Sequence, residues 1–371
     1  MHARSTGAGP GPCRITSPAP RSVWDAVYRS DPEAVPYQSS QWTDAICASG
    51  THVDRSRAYE MSDGRTLVLP LLRRSGLPDR LAPARSMPSG LGMGGLVGEG
   101  ITPRDVRIVV ADLATLPFPM VAVRPNPRTG MTWSDAAPLN AERLPRRAHV
   151  VDLSLGEGWL WTGGLSKSIS KLAAKARRQG LGVRWESSPD RLSVFLDLYD
   201  RSVVRWARRQ HEPLSLSRWR MRRANNPAAL RAALEVMDGV CRIGVVEIDG
   251  QPAAAALVFI EPGGNANGVR QAMDTEIVRR TGAGYLLQVS ALEEAMRAGC
   301  RHFHLGESGQ AAGLSDHKER MGGEPSSYAE VQMGRIPIGR ADRALRSTLK
   351  RAIGFRDASR NPAKPEPVEP V

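Results

Sequence analysis

Between Asn267 and Leu305 the spacing of apolar and polar residues changes period twice. Asn267-Gly-Val-Arg-Gln-Ala-Met273 alternates as a half-buried strand does, and the alternation ends at Asp274. A charged loop is expected next. Leu286, Val289, Leu292 and Met296 then recur at helical spacing through 285–297, and Gly299 stops that helix. His302-Phe-His-Leu305 alternates again. The segment therefore predicts strand, helix and strand, a unit that normally closes as a right-handed parallel crossover.

The same reading extends along the chain. Residues 192–210 and 217–224 are predicted helices, and 240–248 and 252–260 are strands joined at Asp249-Gly250, a hairpin signal. Nearer the start, 22–48 reads as helix, turn and helix, and 58–61 and 66–72 as strands around Asp63-Gly64. Residues 83–100 form a loop whose Gly90-Leu-Gly-Met-Gly-Gly95 is expected at the mobile surface, with close approach to a ligand backbone as the alternative. A helix at 105–116 and strands at 119–123 and 146–153 follow. The expected fold class is α/β with α+β character, each of two domains being a mixed twisted sheet flanked by helices. The expected divisions are a disordered 1–20, domains at 21–150 and 151–335, a basic helix at 336–360 and a disordered Pro/Glu tail at 361–371.

A length of 371 residues suits two domains of ordinary size. The longest uninterrupted apolar run is 253–260, and the first twenty residues lack a hydrophobic signal core, so a cytoplasmic protein is expected. Cys13, Cys47, Cys241 and Cys300 are too scattered for a thiol pair or a zinc site, and no metal is implied. The net charge of +13 is made of 45 arginines and only six lysines, which makes each lysine the more telling choice. Charge is also local: 166–180, 201–223 and 335–360 carry +5, +7 and +6. Trp206 and Trp219 in the second cluster are expected to be core residues beneath a basic face, with stacking of nucleic-acid bases as the alternative. Leu345, Leu349 and Ile353 beside Arg343, Arg346, Lys350 and Arg351 predict a helix packed on its own domain, with an anionic membrane as the alternative contact.

Candidate chemistry gathers in the C-terminal half. Arg279, Arg280, Gly282, Ala283 and Gly284 stand at the mouth of the 285–297 helix, where backbone N–H groups and the helix dipole favour a phosphate. Lys167, Lys171 and Lys175 fall at i, i+4 and i+8 on one helix face, as a phosphate-binding flank or a solvated surface. Past the second strand, Lys318 is a candidate to stabilise an oxyanion or bind a phosphate, and Glu307, His304 and His317 are candidates to take a proton. His302 and His304 share one strand face by the period of two.

The spacing Arg279-x-x-Gly282-x-Gly284 between strand and helix resembles the coenzyme A pyrophosphate loop of the GNAT acyltransferases. Leu314-Ser-Asp-His-Lys318-Glu-Arg-Met-Gly322-Gly323 resembles the K-x-x-x-G loop of the FemAB-like branch. That branch includes the polysaccharide-biosynthesis-type, CelD-like acetyltransferases. The basic stretch 165–180, Tyr37-Gln-Ser-Ser-Gln-Trp42 and Leu69-Pro-Leu-Leu-Arg73 are similar to further signatures of that branch. The resemblance covers roughly 20–335 and implies two tandem GNAT-like domains. It implies transfer of an acyl or aminoacyl group to an amine or hydroxyl of a cell-envelope precursor or polysaccharide. Acetyl-CoA or another acyl-CoA is the first-choice donor, and aminoacyl transfer from charged tRNA to a peptidoglycan precursor is the alternative. A catalytically silent GNAT-like module that binds such a polymer is a second alternative. Relatives often carry Asp where this chain has His304.

Overall fold

A computed structural model describes residues 14–309, 311–334 and 338–355. The first half opens with strand β1 (Arg14–Thr16) and helices α1 (Arg21–Ser30) and α2 (Ser40–Ala48). Ser39 caps α2 by accepting the Trp42 N–H. Short strands β2 (His52–Asp54), β3 (Arg57–Glu60), β4 (Thr66–Leu69), β5 (Leu72–Arg74) and β6 (Ala84–Arg85) follow. β3 and β4 meet across the expected Asp63-Gly64 turn. Helix α3 (Pro103–Thr115) starts from a reciprocal Thr102/Asp105 cap with proline at its first position. β7 (Met120–Val123), α4 (Gly130–Ala136) and the long β8 (Glu142–Asp152) complete this half.

Helices α5 (Gly156–Trp159) and α6 (Lys167–Arg178) lead to β9 (Arg184–Glu186) and to helices α7 (Arg191–Gln210), α8 (Leu214–Ala224) and α9 (Pro227–Val236). β10 (Cys241–Ile248) and β11 (Gln251–Ile260) form the expected hairpin, with φ of 51° at Asp249 and 74° at Gly250 as a type I′ turn requires. β12 (Ala266–Met273) runs antiparallel to β11. Helices α10 (Thr275–Thr281) and α11 (Ala283–Arg297) cross over, and β13 (His302–Glu307) returns parallel to β12, as expected. Helix α12 (Ala312–Arg320), β14 (Glu324–Gly334) and α13 (Ile338–Ala352) follow.

Among the described residues one mixed sheet has eleven strands in the order β2-β5-β6-β7-β14-β8-β13-β12-β11-β10-β9, and β1, β3 and β4 make a separate small sheet. The boundary expected at 150 falls inside β8, which pairs with β13 through 148–152 and with β14 through 142–150. β14 in turn pairs with β7. Tyr37 and Trp42 pack edge-on against Phe259 at 5.3 and 5.1 Å between ring centres, joining the helical turn Pro36–Gln38 and α2 to β11. No described helix is long and apolar enough to cross a membrane.

The placement of the site follows from β12 and β13. They pair only at Ala266 with Phe303 and Asn267 with His304, and then part. β13 is bulged between His304 and Gly306, where Gly306 takes φ of +78°, and the β11–β12 register shifts between Leu257 and Val258. Bulges bend their strands, so the two diverge and leave a gap roofed by α11 and α12.

Several expectations are corrected. Residues 14–20 are ordered: β1 pairs with β3, and Ala19 is buried with its N–H on Ser56; residues 1–13 and 356–371 lie outside the described residues. The 90–95 glycine loop is not a mobile surface, because Gln38 and Trp42 donate to its carbonyls at Gly94 and Leu91. The charged loop after β12 is helix α10, capped by the Asp274 carboxylate, and most of 314–323 is helix α12. Trp219 is 55% exposed with Arg223 over its ring, so it is not core. Leu345 and Leu349 of α13 are 70% and 46% exposed, so they do not pack on the domain as expected.

Gly92 has φ of +106°, and a Cβ there would lie 2.3 Å from the buried Tyr37 ring. Gly92→Ala is therefore expected to lower stability by about 2 to 3 kcal/mol in denaturant unfolding; an unchanged midpoint would mean that the loop is not packed on Tyr37.

Candidate active site

The gap between β12 and β13 is a cavity of about 260 Å³. Its walls combine apolar side chains such as Leu257, Phe303, Leu305 and Met321 with polar ones. Lys318, Glu307 and His304, proposed from sequence, all line it, together with His317.

Lys318 sits in the last turn of α12, buried, and its Nζ donates to the Glu307 carbonyl oxygen at 2.8 Å. Burial disfavours the ammonium form, and nearby Arg270 adds to this while Glu307 opposes it. The amine is thereby brought down to about 7. The neutral amine is then well populated near neutral pH. The Glu307 carboxylate is already engaged: it accepts from Tyr328 Oη at 2.7 Å and lies 3.4 Å from Arg146 and 3.7 Å from Arg124. The same two arginines reach Glu330, which burial would push up but which they hold down at about 2. These residues, on β8, β13 and β14 and just past the end of β7, form a network that pins the strand end carrying Gly306 and Glu307.

His304 is 1% exposed, and neither ring nitrogen has a partner. Burial, with help from His302 and Arg128, takes it to about 3, so it is a neutral imidazole across the physiological range. Burial likewise brings His317 to about 4, aided by Arg320 and Lys318. Its Nε2 meets Gln288 Oε1 at 3.0 Å, Gln288 Nε2 donates to Gln271 Oε1 at 2.8 Å, and Gln271 Nε2 donates to the Gly284 carbonyl at 3.4 Å. An amide chain thus links the cavity to the first turn of α11.

The glycine segment itself is elsewhere. Gly282, Ala283 and Gly284 are buried, whereas Arg279 and Arg280 are exposed. Gly282 is the left-handed cap of α10 at φ +78°, and a Cβ on it would lie 2.7 Å from the Leu172 carbonyl oxygen of α6. Lys175 Nζ donates to the Arg280 carbonyl at 3.1 Å, and Lys167 and Lys171 are exposed on the same helix. These residues meet along the α6–α11 face and do not line the cavity. Among the described residues no cluster of three metal-ligating side chains occurs.

Sequence reading missed Asn267, Gln271, Gln288, Arg124, Arg146 and Tyr328. A signal existed for the first: Asn265-x-Asn267 alternates into β12 as His302-x-His304 does on β13. The others come together only through strand order.

Residues 165–319 match the model of the Acetyltransferase (GNAT) domain. The fold as a whole is similar to the crystal structure of FemX, with TM-score 0.64 and 12% identity over 91% of this chain and 100% of that one. It is similar also to a conserved protein of unknown function from Bacteroides thetaiotaomicron, with TM-score 0.52 and 14% identity over 86% and 98%. A tandem GNAT protein from the clavulanic acid biosynthesis pathway matches at TM-score 0.47 and 13% identity over 86% and 98%. No curated protein matches the sequence. The mixed α/β GNAT fold expected from the sequence is the fold observed.

Because the unfolded chain binds the Lys318 proton up to its ordinary value of 10.5 and the folded chain only to about 7, the penalty is complete below pH 7 and disappears as pH rises towards 10. Lys318→Met should therefore raise the thermal midpoint at pH 6 by roughly 5 °C, with the gain shrinking by pH 9.5. A gain independent of pH would mean that the amine is not buried as described.

Proposed function

We propose that the protein is an acyltransferase that carries an acyl group from acyl-coenzyme A to an amine or hydroxyl of a cell-envelope or polysaccharide precursor. The buried Lys318 amine in the β12–β13 cavity is the observation that carries this reading. In the neutral form one N–H is committed to the Glu307 carbonyl, which leaves the lone pair to receive the acceptor's proton. The acceptor nitrogen or oxygen then bonds to the acyl carbon, and the Arg270 guanidinium on the cavity wall supplies positive charge as the oxyanion builds. On collapse the carbon–sulfur bond breaks, and the leaving thiolate takes a proton from the Lys318 ammonium. Glu307, with both carboxylate oxygens engaged, is a positioning residue that holds the carbonyl to which Lys318 is tethered. His304 is too weak a base for the proton step.

For the donor we assign the pyrophosphate to Arg279, Arg280 and the first N–H groups of α11, with the Lys167, Lys171 and Lys175 face of α6 beside it. The contact of Leu172 with Gly282 favours a second reading, in which α6 stays in place and the donor is an aminoacyl ester of tRNA held on the basic surface. The exposed Leu345 and Leu349 next to Lys350 and Arg351 support contact with an anionic membrane, where a lipid-linked acceptor would be met from the cytoplasmic side.

Lys318→Ala is expected to lower kcat/KM at least about 100-fold. In the wild type, kcat/KM should rise with pH through about 7 and then level off, because the neutral amine is the active form. A rate that falls above pH 7 would assign Lys318 to charge stabilisation instead. Calorimetry with acetyl-CoA separates the donors: binding lost in an Arg279→Ala, Arg280→Ala double variant fits coenzyme A. Failure of the wild type to bind acetyl-CoA, together with tRNA binding that weakens steeply with salt, would replace it with the ester donor.

A further inference from the structure

Two Asn–His rungs lie side by side where β12 and β13 come together, and they are treated differently. In the first, His302 Nδ1 meets Asn265 Oδ1 at 3.1 Å, and Asn265 Nδ2 donates to the carbonyls of Pro32 and Ala34 at 2.9 and 2.8 Å. That rung is hydrogen-bonded through both amide atoms of Asn265 and ties the strands to the first half of the chain. In the second, Asn267 and His304 are register partners, 0% and 1% exposed, and all four of their side-chain polar atoms lack a partner. Both line the cavity.

The second rung marks the closed end. It is the last paired position before the strands part, and the cavity opens from it toward the half-buried Arg270 and Glu307. Lys318 Nζ lies 3.8 Å from where a Cβ on Gly306 would be, two positions along β13 and about 7 Å from the His304 level. A group whose reacting carbon sits at Lys318 would place its far end against Asn267 and His304.

Four buried polar atoms left unpaired are costly, so they call for a partner that the chain itself does not supply, a ligand group or an ordered water. Neutral imidazole and amide together offer donors and acceptors without net charge. A carboxylate there would meet no free cation, since Arg128, the charge that acts on His304, is already paired with Glu33, and a plain alkyl chain would leave all four atoms unpaired. We propose that Asn267 and His304 form a recognition subsite for an uncharged hydrogen-bonding group, a hydroxyl or an amide, at the far end of the transferred acyl chain. This deepens the acyl-transfer reading and rests on it for the placement of the reacting carbon.

The test uses butyryl-CoA and 3-hydroxybutyryl-CoA as probes in calorimetry, with the full chain, Asn267→Leu and, as a structural control, Asn265→Leu. Tighter binding of the hydroxylated ester by about tenfold or more, lost in Asn267→Leu, is the expected result. Equal binding of the two esters would overturn the subsite while leaving the coenzyme A donor in place. If neither ester binds, that donor falls, and melting curves without any donor decide the subsite. A midpoint for Asn267→Leu at or above wild type supports it, because an orphaned amide has been removed at no cost. A fall comparable with that of Asn265→Leu overturns it, because the second rung is then structural and satisfied by ordered water only.

Discussion

β12 and β13 hold together for two residue pairs and then separate, and the site depends on that brevity. Had the ladder continued, the sheet would have closed over the space that Lys318 and His317 now face. The bulge at Gly306 and the shift at Leu257/Val258 bend the strands apart, and the surrounding network keeps them apart. Arg124 and Arg146 bind Glu307 on one strand and Glu330 on another, so the diverging end of β13 is anchored to β14 and β8 and does not drift back to β12.

Such a gap has a chemical consequence. An amine placed in it loses most of its hydration, and with only a backbone carbonyl as acceptor it gives up its proton near neutrality. The same enclosure keeps His304 and His317 uncharged. The cavity is thus a place where the chain gives up stability for chemistry: a destabilised cation, an unpaired amide and an unpaired imidazole stand together, while in the neighbouring rung the Asn265 amide is bonded at both atoms. Concentration of local conflicts in one cavity is the expected mark of a functional site.

Much of this was legible in the sequence, and the reasons are physical. The strand-helix-strand unit and both Asp-Gly hairpins are local, set by period and by turn residues within a few positions, and they were read directly. Lys318 stood out because lysine is rare here, and its position just beyond β13 left it little choice but the cavity. What was not legible depends on strand order. Arg124, Arg146 and Tyr328 reach Glu307 only because β7, β14, β8 and β13 are neighbours in the sheet, and nothing at sequence spacing announces that. The 279–284 segment carries a phosphate-loop pattern, yet its glycines also serve the close packing of α6, which a one-dimensional pattern does not distinguish. The exposure of Leu345 and Leu349 was missed for a related reason, since amphipathic spacing says which face is apolar but not what covers it.

The central claim is that one amine in this chain is neutral near pH 7 because it is buried between the parted strands. With only six lysines, the side-chain resonances of all of them can be followed by NMR as pH is raised. One lysine signal titrating at about 7 and absent from Lys318→Met is the predicted result. If every lysine titrates near the ordinary value of about 10.4, the amine is hydrated and the account of the site is wrong.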